Sequence, residues 1–346
     1  MNSKREVFWD VVKGVAILLV VFGHSILYAS GADYLRSEVF YDNFLLKFIT
    51  SFHMPIFMVV SGYLFHNTLS RRSTSSIIIS RLKMLVVPIL SFAVIYKLPI
   101  LLSVFKGESS ILFFLKDFFT FSFLGYHLWF LWSIFLNTIF VIIVEKYKIP
   151  RFTYFLIWIS LSMIPDNLLY APYSFLFPYF VIGLLFHKYE YKIKWSDNKN
   201  ILICSGTFYI IFLFFYNRET YVYVSGQYIL RENSFHFLLL NIQRFLTGIS
   251  GSVFVINVLR LIYERFRNHQ IINHLSMLGL NSMGIYCFHH IFFWQYILHC
   301  TRRIHLNSWS PTLTILASIG ALIFSLVATY ISKKFTITKI LFLGGR

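Results

Sequence analysis

Residues 8–30 read FWDVVKGVAILLVVFGHSILYAS, an apolar run interrupted by Asp10, Lys13 and His24. It is long enough to cross a bilayer as a helix, which takes about 20 residues. Lys13 and His24 are eleven residues apart. On a helix that is just over three turns, so both side chains point nearly the same way, roughly 16 Å apart along the axis. A cation and an imidazole on one stripe of a membrane helix must be buried in protein or wet. Similar runs recur as far as Tyr330, and the whole chain of 346 residues is 57% hydrophobic and only 13% charged. Globular soluble chains are about one quarter charged. Unbroken runs such as ILLVV (17–21) and FVIIV (140–144) lack the alternation of a transmembrane β-barrel. The expected fold is all-α: a polytopic integral membrane helical bundle, one membrane domain over residues 1–346, embedded in a lipid bilayer.

Ten transmembrane helices are expected, over Phe8–Tyr28, Phe48–Phe65, Met84–Val104, Leu128–Val144, Phe152–Ile164, Tyr173–Phe186, Ile201–Tyr216, Phe237–Tyr263, Met277–His299 and Thr312–Ile331. The fifth and sixth are short. Ile111–Phe123 is apolar but carries Lys116 and Asp117, which suits a segment that lies on the surface or dips in without crossing. With the N-terminus cytoplasmic, 21 of the 31 basic residues fall on cytoplasmic segments and adjoining span ends. That is the positive-inside pattern, and an even number of spans puts both termini inside. The net charge of +17 therefore reflects basic loops, and no nucleic-acid partner is expected. The first run resembles a signal peptide, but cleavage would discard the Lys13/His24 stripe, so it is read as retained. Cys204, Cys287 and Cys300 are odd in number and form neither a disulfide framework nor a zinc spacing.

Several histidines fall at convergent depth. His24 lies near the outer end of the first span, and His53 lies in the outer half of the second. His127 begins the fourth, and His289 and His290 sit midway along the ninth. Imidazoles are expensive in lipid and useful around a polar cavity where a proton moves. Asp10 lies three residues before Lys13, within reach on one helix face. No metal is expected, because no HxxxH or HExxH spacing occurs and no acid accompanies the histidines in the spans. Ser25 and Ser61 have no GxSxG elbow, and there is no P-loop or GxGxxG. Arg71, Arg72, Arg81 and Lys83 form a basic cluster that positive-inside bias explains by itself and that would also suit a polyphosphate. His127, Trp129 and their neighbours suit either an aromatic belt or the rim of an acceptor site.

Taken together, these pieces resemble the membrane acyltransferase-3 family, in its branch of sugar and polysaccharide O-acetylases such as those acting on O-antigen or fucose. Lys13 followed after ten residues by His24 is similar to that family's cation-x10-His signature. SFHMPIFMVVSGYLF (51–65), RLKMLVVP (81–88), HLWFL (127–131), FPYFVIGLLF (177–186) and LGLNSMGIYCFHH (278–290) are similar to later blocks, in order. The resemblance implies transfer of an acetyl group from cytoplasmic acetyl-CoA to a hydroxyl of a cell-surface polysaccharide or its lipid-linked precursor. This would take place in a bacterial inner membrane, with O-antigen lipopolysaccharide as the type of acceptor. His24 would be the catalytic residue, as general base or through a transient acyl-His, supported by Lys13 and Asp10. His53 or His289 would orient it or donate to the oxyanion. Arg71, Arg72, Arg81 and Lys83 would bind the acetyl-CoA, and Ser61, His127, Trp129 and Tyr286 would contact substrate. A different class, a transporter or flippase for an anionic sugar lipid, would also need polar residues in spans. It would more often show internal repeats or paired membrane acids, and neither is present.

Overall fold

The computed structural model describes residues 7–123, 128–166, 168, 171–189, 199–297 and 308–345. Among the described residues every regular element is helical. In chain order they are α1 (Val7–Ala29), α2 (Ala32–Arg36), α3 (Val39–Asp42), α4 (Phe44–Arg71), α5 (Thr74–Arg81) and α6 (Val87–Phe105), then α7 (Ile111–Phe123), α8 (Trp129–Lys146), α9 (Thr153–Ser162), α10 (Ala171–Tyr189) and α11 (Lys199–Phe214). After these come α12 (Val222–Ser225), α13 (Ser234–Phe266), α14 (Gln270–Leu280), α15 (Ser282–Ile291), α16 (Pro311–Lys334) and α17 (Thr336–Leu343). Two π-helical turns, Leu82–Val86 and Phe292–Ile297, join α5 to α6 and extend α15.

The chain is a multi-pass helical membrane protein. Among the described residues six stretches are long and apolar enough to cross a bilayer: Val7–Ala29, Phe44–Arg71, Thr74–Phe105, Trp129–Lys146, Ser234–Phe266 and Pro311–Lys334. Thr153–Ser162 and Lys199–Phe214 are apolar but shorter. The ninth expected span is not one helix. α14 ends at Leu280, Asn281 interrupts, and α15 starts at Ser282. The Asn281 side chain donates to the Met277 carbonyl and accepts from Lys333 Nζ at 2.8 Å, so the break has its own polar partners. α7 exposes Ile111, Leu112, Phe113, Leu115, Phe119 and Phe123 and buries only Phe114 and Ser122, while its Asp117 pairs with Lys97 of α6 at 2.8 Å. It packs at the edge of the bundle against α6.

Contacts between neighbouring helix ends define the two ends of the bundle. At one end Lys146 Nζ donates to the Arg72 carbonyl, and Arg151 and Lys188 pair with Glu145. This basic end also carries the start of α1 and the end of α16. At the opposite end the Ser310 amide donates to Ser30 Oγ, and Arg218 pairs with Glu38.

Two close crossings set the spacing of the helices around the site. Where α4 meets α10, a Cβ on Gly62 would stand 1.9 Å from the Phe180 carbonyl oxygen, and one on Gly183 would stand 2.0 Å from that of Val59. Where α1 meets α14, Gly14 faces the Leu275 carbonyl and Gly279 faces that of Asp10, at 2.0 and 1.8 Å from the same hypothetical carbon. Small residues let membrane helices approach until backbones touch, which gains dispersion where lipid supplies no hydrophobic drive. The second contact clamps the part of α1 that carries Asp10 and Lys13.

Candidate active site

α1 is buried on several sides, and one stripe of it faces open space. Lys13, Val20 and His24 are seven and four residues apart, so at about 100° per residue they lie within roughly 20° of one line. Two cavities of about 320 and 330 Å³ lie along that stripe. Lys13 lines the first, at the basic end, and His24 lines the second, toward the opposite end. Among the described residues Val20 and Tyr286 are the two common to both walls.

The first cavity has a cationic mouth and an apolar throat. Lys13, Arg72 and Arg81 supply the charge, and Met54, Phe57, Val60, Leu131, Met283 and Leu85 supply much of the wall. Lys13 pairs with Asp10 at 2.7 Å, and the Asp10 side chain is 7% exposed. Pairing with a buried carboxylate limits the expense of placing a cation this deep and fixes its ammonium group. The π-helical turn Leu82–Val86 follows Arg81 and turns Met84 and Leu85 into the wall. Arg81 also lies over the Phe65 ring at 5.0 Å.

Not all of the expected cation cluster reaches this cavity. Arg71 and Lys83 are exposed and absent from its wall. Arg71 is the last residue of α4 and Arg72 is its extended C-cap, so the neighbours diverge. Lys83 lies within the π turn, and its Cε lies near Gly345 rather than the cavity. Ser61 lines the first cavity, beside Lys13, and not the second, beside the histidines. It is eight residues beyond His53 on α4, roughly 12 Å along the helix.

The second cavity gathers His24, His53, His289, His290 and Tyr286, along with a set of aromatic residues that includes Tyr28, Tyr41, Trp129, Tyr221 and Tyr223. His127 lies outside the described residues. His24 Nδ1 is 2.7 Å from His289 Nε2, with the ring planes within 9° of parallel and centroids 4.9 Å apart. His289 Nδ1 is 2.9 Å from the Ile285 carbonyl oxygen, and His289 is 1% exposed. A carbonyl can only accept, so the proton of neutral His289 sits on Nδ1, and its Nε2 must accept. His24 then donates from Nδ1, which leaves its basic lone pair on Nε2. The backbone of α15 thus dictates the tautomer of His24 through one intervening imidazole. His53 follows the same logic: its Nδ1 is 2.7 Å from the Ile49 carbonyl, so its Nε2 is the acceptor nitrogen. His290 Nδ1 is 2.9 Å from Tyr96 Oη.

Among the described residues no group of three or more His, Cys, Asp or Glu side chains is arranged to hold a metal ion. Cys287 is buried and Cys204 exposed, and both are free thiols.

The profile of the acyltransferase domain matches residues 6–332, nearly the whole chain. The chain belongs to the acyltransferase-3 family. It is similar to the nodulation protein NolL of Mesorhizobium japonicum, 25% identical over 239 residues, or 64% of this chain and 59% of that protein. The NolL protein of Sinorhizobium fredii is 27% identical over 227 residues, 64% of this chain and 60% of that one. The chain thus spans about 60% of the length of these curated relatives. No solved structure matches.

One element of this acyltransferase domain escaped the sequence reading. Arg244 sits inside an expected span and is 2% exposed. Its guanidinium donates to the Thr220 carbonyl at 2.9 Å, the Glu219 carbonyl at 2.7 Å, the Gly226 carbonyl at 2.5 Å and Asn241 Oδ1 at 2.7 Å, and it also reaches Ser225 Oγ. No carboxylate is among these partners. The guanidinium holds down segment 219–226, which brings Tyr221 and Tyr223 to the second cavity. Asp166 secures the residues that follow it by accepting from the Gln227 amide at 3.1 Å and pairing with Arg231. A cation in an apolar run was the available signal.

Arg244→Lys keeps the charge but offers three donors on one atom instead of a planar fork. It orphans buried carbonyls at about 1–3 kcal/mol each. Amide exchange across 219–226 is expected to accelerate at least about tenfold, with the rest of the bundle unchanged. Equal protection in mutant and parent would show that the strap does not depend on this residue.

Proposed function

We propose that this protein is an O-acyltransferase that moves an acetyl group from acetyl-CoA to a hydroxyl of a cell-surface polysaccharide or its lipid-linked precursor. The observation that carries this reading is the pair of cavities meeting at Val20 and Tyr286 on the Lys13–His24 stripe. One is cationic at its mouth and apolar within, and the other is lined by imidazoles and aromatic rings. The first suits a thioester on a long, thin arm with phosphates at its far end. The second suits a polyhydroxylated ring, which packs its apolar face on aromatic side chains.

The basic end faces the cytoplasm on this reading, because basic residues crowd the cytoplasmic side of multi-pass proteins. Both termini lie there, in the inner membrane of a bacterium. Arg72 and Arg81 hold phosphate groups through charge-assisted hydrogen bonds, and Lys13, anchored by Asp10, lines the path of the arm. His24 stands at the far end of the stripe with Nε2 as base. It takes the hydroxyl proton as the sugar oxygen attacks the thioester carbonyl. The C–S bond then breaks, and the proton passes from Nε2 to the departing sulfur, giving the ester and free CoA thiol. His289 keeps the His24 lone pair on the reacting nitrogen and shares the positive charge that forms there. His53 and Trp129, which line the same cavity, position the acceptor. Ser61 belongs with the donor.

Membranes bearing the protein are expected to release CoA thiol from acetyl-CoA only when the protein is present. Surface glycan from the same cells is expected to carry an O-acetyl signal by NMR that disappears on deleting the protein. An unchanged glycan spectrum and no protein-dependent thiol would favour the transport reading instead.

A further inference from the structure

Tyr286 belongs to both cavities, yet a general base, an orienting imidazole and a cationic mouth make no use of it. It is 7% exposed. Its ring centroid lies 5.7 Å from that of Phe130 in an edge-on contact, and its hydroxyl accepts from the Phe130 amide at 3.2 Å. That amide is in the first turn of α8, where helix N–H groups lack intrahelical acceptors. On its other side the ring is 5.8 Å from that of His289. A side chain held at its ring and at its hydroxyl has little freedom to swing aside. Across from it, Val20 is 3% exposed and one turn before His24 on α1.

We propose that Tyr286, with Val20, is the partition between donor and acceptor cavities and sets the length of acyl group that the site accepts. This rests on the thioester reading above. A reacting carbonyl within reach of His24 Nε2 must stand at this junction. Any acyl carbons beyond the carbonyl then have to lie against Tyr286 and Val20. A rigid ring there turns each added methylene from a favourable apolar burial into a clash, so the site selects short acyl groups by exclusion. One methylene too many in an apolar pocket is worth roughly tenfold or more in rate discrimination. The contact with His289 places this filter beside the imidazole pair itself.

The test uses membranes containing the full chain and their own surface glycan, supplied separately with acetyl-, butyryl- and hexanoyl-CoA. Thiol release and the mass of the ester on the glycan are read together. The parent is expected to favour acetyl over hexanoyl by at least about tenfold. Tyr286→Ala is expected to lower that ratio at least about tenfold. Val20→Ala, which leaves the Tyr286–Phe130 contact intact, is expected to move the ratio in the same direction by less. It decides the matter if Tyr286→Ala fails to accumulate. A parent that transfers hexanoyl as readily as acetyl overturns the partition, as does a ratio unmoved in an active Tyr286→Ala or Val20→Ala protein. A parent inert toward all three thioesters overturns the donor reading, and the partition with it. A parent active on acetyl-CoA with unmoved variants overturns the partition alone.

Discussion

His24→Ala should leave a folded protein in the membrane and cut acyl transfer by about 10²–10⁴-fold, the usual contribution of a positioned general base. The fold has little reason to fail, because His24 is partly exposed to a cavity, while the surrounding α1 residues Val20, Val21, Gly23 and Ser25 are buried and unchanged. The chemistry has every reason to fail, since no other side chain holds its place on the stripe. His53 sits on another helix, with its own ring fixed to Ile49. His289→Ala should cost less, because His24 would keep its Nε2 but lose the partner that selects the tautomer. In the double variant the effects should not add: without His24, removing His289 should change the residual rate by less than about twofold, as happens for groups that act as a unit. Thiol release from acetyl-CoA, normalised to immunoblotted protein, is the measurement. Additive losses would separate the two imidazoles into independent roles.

Gly62→Val is expected to abolish assembly of the bundle rather than slow its chemistry. A Cβ at this position falls 1.9 Å from the Phe180 carbonyl oxygen and 3.1 Å from the Leu184 amide nitrogen. These are backbone atoms of α10, so no rotamer change relieves the clash, and the two helices must separate. Ordinary overpacking costs about 1–3 kcal/mol, and a forced separation of two main chains exceeds that range. The damage also reaches the site, because α4 carries His53 and one wall of the first cavity. Detergent-solubilised Gly62→Val protein should lose the cooperative thermal transition of the parent. Gly23→Ala is the comparison, since its added carbon meets only the Ile49 side chain, at 3.4 Å. A normal transition for Gly62→Val would mean that the α4–α10 crossing is looser than described.

The helical membrane architecture was legible because hydropathy in unbroken runs has one physical solution, a helix that satisfies its own backbone in lipid. The stripe was legible for a related reason: Lys13 and His24 repeat at a helical spacing, and their expense in lipid demanded a purpose. His289 was within reach of the same argument, since it is an imidazole inside a span. What periodicity cannot carry is which helices touch. The His24–His289 contact joins residues 265 apart in sequence, and nothing local to either announces the other. The break at Asn281 was hidden because Leu278, Gly279 and Leu280 keep the run apolar across it. The π turn after Arg81 was hidden because it depends on packing, not on composition. Arg71 and Lys83 were grouped with Arg72 and Arg81 by proximity in sequence, yet only the latter pair lines the cavity. Positive-inside bias places cations on one side of a membrane without aiming them. Arg244 is the instructive omission: it met the criterion that singled out Lys13, an ion inside an apolar run, and its partners turned out to be mostly main-chain carbonyls.

The proposed transfer requires the thioester to pass from the cationic mouth at Arg72 and Arg81 to the imidazole of His24. Proteoliposomes with the protein in a single orientation test it directly. Radiolabelled acetyl-CoA is supplied to one face, and purified surface glycan is enclosed on the other. Labelled glycan should form when acetyl-CoA meets the basic face and glycan the opposite face, should not form with the two exchanged, and should vanish with His24→Ala. Transfer that requires donor and acceptor on the same face would contradict the passage.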